Sequence, residues 1–245
     1  MSARAEVATS QSFAEAIWRR CCRRRSGWRL AFRPAHPPDT WQRSTTPPGR
    51  CSEPVQKQAF KNALLNSTAK FKFVINEYPI QQFWALPYDR WEGYAAERNE
   101  ILNFIHDPDS NPSTDDSIDD VVFLTTDIHA TIVNEVFRDR FENGFVIPPT
   151  TIAQEVVTGP IATFTFQQEI INLFGPVVGP VRVAQFQAAL SLAGVDCRNL
   201  NQNSYGVVDL DASLGTATVT SKDQNGLPVV NQAPPSATCK ETFGP

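Results

Sequence analysis

Residues 121–126 read VVFLTT, an uncharged run with no alternation of apolar and polar positions. An extended chain of that kind needs cover on both faces, which the inner strands of layered, parallel sheets receive. An antiparallel sheet with one wet face is a poor host for it. The chain before it supplies candidate layers. PVQKQAFKNALLNSTA (54–69) carries apolar residues at 55, 59, 60, 63 and 64, the spacing of an amphipathic helix. KFKFVINEYPI (70–80) sets Phe71, Phe73 and Ile75 against Lys70, Lys72 and Val74 and is closed by Pro79, as a strand would be. AAERNEILNFIH (95–106) gathers Ile101, Leu102 and Ile105 on one helical face. Helix, strand, helix, strand in that order predicts an α/β fold, a layered sheet with flanking helices. The strands at about 70–76 and 120–126 should be parallel neighbours, with the helix near 95–105 as their crossover.

Downstream the periodicity weakens. GFVIPPTTIAQEVVTGPIATFTF (144–166) has three prolines and no long period, and reads as a surface segment. VAQFQAALSLAGV (183–195) reads as a helix ended near Gly194. NSYGVVDLDASLGTATVTSKDQNG (203–226) alternates and turns at 213–215, which predicts a terminal β-hairpin at a sheet edge. The Asp-rich stretch 107–120 lacks the glycine and closing Glu of an EF-hand loop and reads as a solvated linker.

Charge divides the chain at residue 50. Residues 1–50 hold ten Arg and no Lys against Glu6, Glu15 and Asp39, a net +7, while the remainder carries −11. That first segment has no sustained apolar stripe and is broken by PAHPP and TTPPG, so it reads as an irregular Arg/Pro-rich leader, with the ordered domain over 54–245. An arginine cluster invites a nucleic-acid reading, but the plainer one is a leader unrelated to the domain, and nucleic acid is not an expected partner. No apolar core follows the twin arginines, as a signal peptide requires, and no run reaches the length of a membrane span. The five cysteines form no metal pattern. Cys197 and Cys239 either pair, tying down the C-terminal tail of an exported protein, or remain two free thiols.

Chemistry enters with Asp127 and His129, which follow the buried run directly. In an extended chain residues i and i+2 face the same side, and ligands of open α/β sheets gather beyond the carboxyl ends of the strands. A carboxylate beside an imidazole suits iron, zinc or manganese. Two such metals can clamp a phosphate ester and activate a water. The plain alternative is a strand-end Asp bonded to the next turn, beside a half-buried His.

ALPYDRWEGYAAERNEIL (85–102), taken with VVFLTTDIH (121–129), resembles the alkaline phosphatase D (PhoD-like) family of metallophosphatases. The family's D-x-W-[DE]-G-Y-x-A-x-R signature is matched by Asp89, Trp91, Glu92, Gly93, Tyr94, Ala96 and Arg98. Its [ST]-G-D-x-H strand end is matched by Thr125, Asp127 and His129, with Thr126 in place of the glycine. QKQAFKNALLNSTAKFKFVIN upstream and NSYGVVDLD downstream extend the likeness to roughly 54–230. The resemblance implies a metallophosphoesterase-type sheet and a phosphoric ester hydrolase that uses a metal-bound hydroxide. It also implies a binuclear centre of iron with calcium, with Asp127 and His129 each bound to one ion. Asp89, Trp91 and Tyr94 would border the phosphate pocket or back the ligands, or else simply pack the loop. The family's earlier ligand motifs are not found in residues 1–50, so the chain resembles the family's C-terminal half and should be weakly active or inactive. Extracellular or periplasmic location is implied likewise. The alternative is a non-catalytic remnant or interaction module lacking half of the site.

Overall fold

A computed structural model describes residues 52, 54–83, 91–110, 116–138, 141–142, 145–146, 150–233 and 237–244. The leader at 1–50 and Asp89 lie outside these residues. The elements are α1 (Pro54–Leu65), β1 (Lys72–Ile75), a 3-10 turn (Trp91–Tyr94), α2 (Ala95–His106), β2 (Val121–Thr125), β3 (Thr131–Phe137), the short β4 and β5 (Phe141–Glu142 and Phe145–Val146), β6 (Thr151–Val157), α3 (Phe166–Leu192), β7 (Val195–Asn199), β8 (Tyr205–Asp211), β9 (Thr216–Lys222) and β10 (Lys240–Phe243).

Five strands form one mixed sheet in the order β1-β2-β6-β3-β7. β1 and β2 are parallel neighbours with Phe73 opposite Val122, and α2 lies between them in the chain, as the sequence predicts. β2 also pairs in parallel with β6, and β3 lies antiparallel between β6 and β7. One expectation needs correction here. The proline-flanked segment 144–166 holds β6, which is central and buried rather than a surface excursion. The hairpin β8–β9 forms as read, with β8 at the edge of a separate three-stranded sheet, β10-β9-β8.

Alternation along the inner strands sorts the side chains into two faces. On one face, Val121, Phe123, Val136 and Ala153 pack with Trp91, Ile101, Leu102 and Ile105 of the 3-10 turn and α2. Farther along the same face, Ile132 and Val157 pack with Phe166, Val183, Phe186 and Leu190 of α3. The opposite face presents Val122, Val133, Val156 and Cys197 to Ala217, Val219, Cys239 and Phe243 around the small sheet. The molecule is therefore helices, mixed sheet, second sheet. β2 is buried from both sides, which explains its uninterrupted apolar run.

A polar seam separates the two clusters of the helical face. Glu155 on β6 is fully buried and stands opposite Asn134 on β3. Its carboxylate accepts the backbone N–H groups of Ile80 and Gln81 at 2.7 and 3.2 Å. Arg98 is buried too and donates to the carbonyls of Ile80 and Phe137 and to the Gln81 side chain. Arg98 thus serves the core, while its neighbour Glu97 takes Ser52 and Lys57. Burial pushes the Glu155 carboxyl up to about 7, against the lowering effect of those two backbone bonds, Asn134 and Arg98.

The sulfurs of Cys197 on β7 and Cys239 before β10 are bonded, with Cα atoms 5.4 Å apart. Of the two readings open in the sequence, the disulfide is the one observed.

Candidate functional site

β2 ends at Thr125, and the extended geometry does not persist to His129. Asp127 and His129 both adopt positive φ, 73° and 58°, a left-handed conformation that Asp and His tolerate better than most non-glycine residues. Between them Ile128 donates its N–H to the Thr126 carbonyl at 3.0 Å and buries its side chain in the cluster beneath α3. The common outlook of Asp127 and His129 therefore comes from two left-handed residues flanking an inward isoleucine. Strand alternation does not produce it. Two such residues cost about 1–3 kcal/mol each, which the surrounding contacts must offset.

Both residues line one open pocket of about 270 Å³ with Thr126, Thr158, Gly159, Pro160, Ile161, Ser204, Tyr205 and Gly206. Thr126 follows the carboxyl end of β2 and Thr158 that of its parallel neighbour β6, where ligands of open α/β sheets collect. Ser204 stitches the far wall together. It exchanges a hydrogen bond with Thr131 at 2.6 Å, accepts the Gly159 N–H and donates to the Gly159 carbonyl, both at 3.1 Å. One donor and two acceptors use the full capacity of a hydroxyl.

The first turn of α3 closes on His129. Phe166 donates its backbone N–H to the His129 carbonyl at 2.7 Å. Glu169 Oε1 lies 2.7 Å from His129 Nδ1, a hydrogen-bond distance whose alignment falls short of one. Thr165 caps the helix in a reciprocal capping box with Gln168.

Trp91 and Tyr94 do not line the pocket. Trp91 is 1% exposed in the cluster with Ile101 and Phe123, and Tyr94 packs against that cluster. The walls at 158–161 and 204–206, and Glu169, were not singled out in the sequence. Only NSYGVVDLD, which extends the family likeness downstream, contains one of them, 204–206.

A carboxylate and an imidazole are, as side-chain types, suitable metal donors. Among the described residues no three His, Cys, Asp or Glu side chains come together to hold a metal. Among the described residues the pair of Asp127 and His129 is not a metal centre by itself.

A family described as PhoD-like phosphatase matches residues 39–220, almost three quarters of the chain. A solved structure described as "Structure of PhoD" aligns with a TM-score of 0.50 at 16% identity, covering 78% of this chain and 33% of that one. That likeness concerns the fold, and the chain spans about a third of the length of that protein. No curated protein matches the chain.

Proposed function

The chain belongs to the PhoD-like phosphatase family, and on that premise we propose that it contributes the Asp127/His129 side of a metal-dependent phosphoric ester hydrolase. The observation that carries this reading is the convergence of these two side chains on one pocket at the carboxyl ends of β2 and β6. Asp127 and His129 would each hold one ion of a binuclear centre, iron with calcium. Bound there, the metals supply Lewis acidity toward a phosphoryl oxygen and an activated water. The chain's own residues shape the pocket: Ser204 fixes the Gly159 turn as its wall, and Ile128 anchors the ligand loop in the core. Trp91 and Tyr94 act from the core by holding α2 against the sheet. The substrate is a phosphate ester. The disulfide favours an oxidising compartment, in keeping with an extracellular or periplasmic site. No helix among the described residues is long and apolar enough to cross a membrane.

A second reading is a non-catalytic remnant or interaction module, since among the described residues no three donor side chains come together. Hydrolysis of a chromogenic phosphate ester by this chain, with iron and calcium added, separates the two. The expected result is slow, metal-dependent turnover that Asp127→Asn and His129→Ala abolish. Turnover undiminished in both variants would remove the pair from the site. Absence of any metal-dependent turnover would leave the remnant reading in possession.

A further inference from the structure

We propose that Glu169 is the positioning residue of the site: it holds His129 as the Nδ1–H tautomer, so that Nε2 presents its lone pair to the pocket. The inference rests on the reading of His129 as a ligand and adds to it a residue that neither the motifs nor the family match assigns.

An imidazole offers a metal one nitrogen and needs a partner for the other. Which nitrogen stays free is decided by the hydrogen bond that the second one makes. The two nitrogens of His129 stand in different surroundings. Nδ1 has no contact with solvent, although the side chain as a whole is 33% exposed, so the exposure falls on other atoms of the ring. The oxygen facing Nδ1 is Glu169 Oε1, at 2.7 Å. A carboxylate accepts and cannot donate, so it stabilises a proton on Nδ1 and repels a bare lone pair there. Imperfect alignment at this distance is common in sites without their ligands and tightens on binding.

Chain geometry makes the contact durable. His129 is held at its carbonyl by Phe166 N–H, and its ring Nδ1 faces Glu169, both in the first turn of α3. That turn is itself fixed by the Thr165–Gln168 capping box and by Gln167 N–H on the Leu200 carbonyl at 2.9 Å. Backbone and ring of His129 therefore both face one capped helix turn.

The test needs neither metal nor ester, so its outcome is independent of the hydrolysis assay. The chain has three histidines, His36, His106 and His129. Selective 15N-histidine labelling gives three ring patterns, and His129→Gln identifies the one of interest. In the metal-free chain, at a pH where the ring is neutral, His129 should show a pyrrole-type Nδ1 and a pyridine-type Nε2. Glu169→Ala should move the population toward Nε2–H, the form free histidine prefers in water. Glu169→Gln, which keeps an acceptor oxygen, should restore the wild-type pattern. Glu169 is 44% exposed by side chain, so both variants should fold, and their circular dichroism should match the wild type. A wild-type His129 already in the Nε2–H form would overturn the proposal. So would a folded Glu169→Ala chain with an unchanged tautomer ratio.

Discussion

Glu155 stands in the middle of a sheet with its charge met only by backbone N–H groups, Asn134 and the Arg98 guanidinium. Its carboxyl is raised from 4.5 to about 7, so the folded chain holds a proton there that the unfolded chain has lost. The folded state binds more protons between those two values. This group's contribution to stability is therefore complete below about 4.5 and is lost as pH rises through about 7. Denaturant unfolding at pH 5 and pH 7.5 should show a loss of about 2 kcal/mol from this group. Glu155→Gln should flatten that part of the pH profile, and an unchanged slope would show the carboxyl to be ionised throughout. Residue chemistry at the site was legible: a carboxylate and an imidazole two positions apart after a buried strand. Backbone conformation was not, because a left-handed pair around Ile128 and a continued strand spell the same D-x-H. Glu169 could not be read at all. It meets His129 across a gap of forty residues that only the fold closes.

At the scale of elements, α3 carries the most position-dependent structure. Gly175, at φ 77° and ψ 172°, breaks it in a region that only glycine occupies readily. Beyond the break, a Cβ on Gly179 would come within 2.6 Å of the Ile171 Cα, eight residues back. A straight helix separates such residues by about 12 Å, so the two arms must fold against each other. Gly179→Ala should push them apart and cost about 1–3 kcal/mol by thermal or chemical unfolding. Loss of the cap in Thr165→Ala should cost about 1 kcal/mol. Legibility divides here by how local the cause is. α2 and the β1–β2 pair could be read because apolar spacing and a short crossover determine them. β6 escaped because Gln154 and Glu155 interrupt its apolar pattern between flanking prolines. An acid in a core strand is tolerated only because the distant segment at 80–81 turns two N–H groups onto it. The start of α3 escaped too, its T-x-x-Q cap hidden in a segment that reads as loop.

Across the whole molecule, the Cys197–Cys239 bond fastens β7, at one edge of the five-stranded sheet, to the chain entering the second sheet. It closes a sequence separation of 42 residues, for which chain entropy alone gives about 4 kcal/mol of stabilisation. Paired Cys197→Ala and Cys239→Ala substitutions should lower unfolding stability by about 2–4 kcal/mol, with the small sheet loosening first. The sequence named this pair but left open whether it forms, since the two sulfurs meet only when one sheet is laid on the other. The same bond makes the last fifth of the chain a lasso. A protease that cuts anywhere between residues 198 and 238 parts the backbone but releases no fragment. The clipped protein should run as one band on a non-reducing gel and separate into two only after reduction.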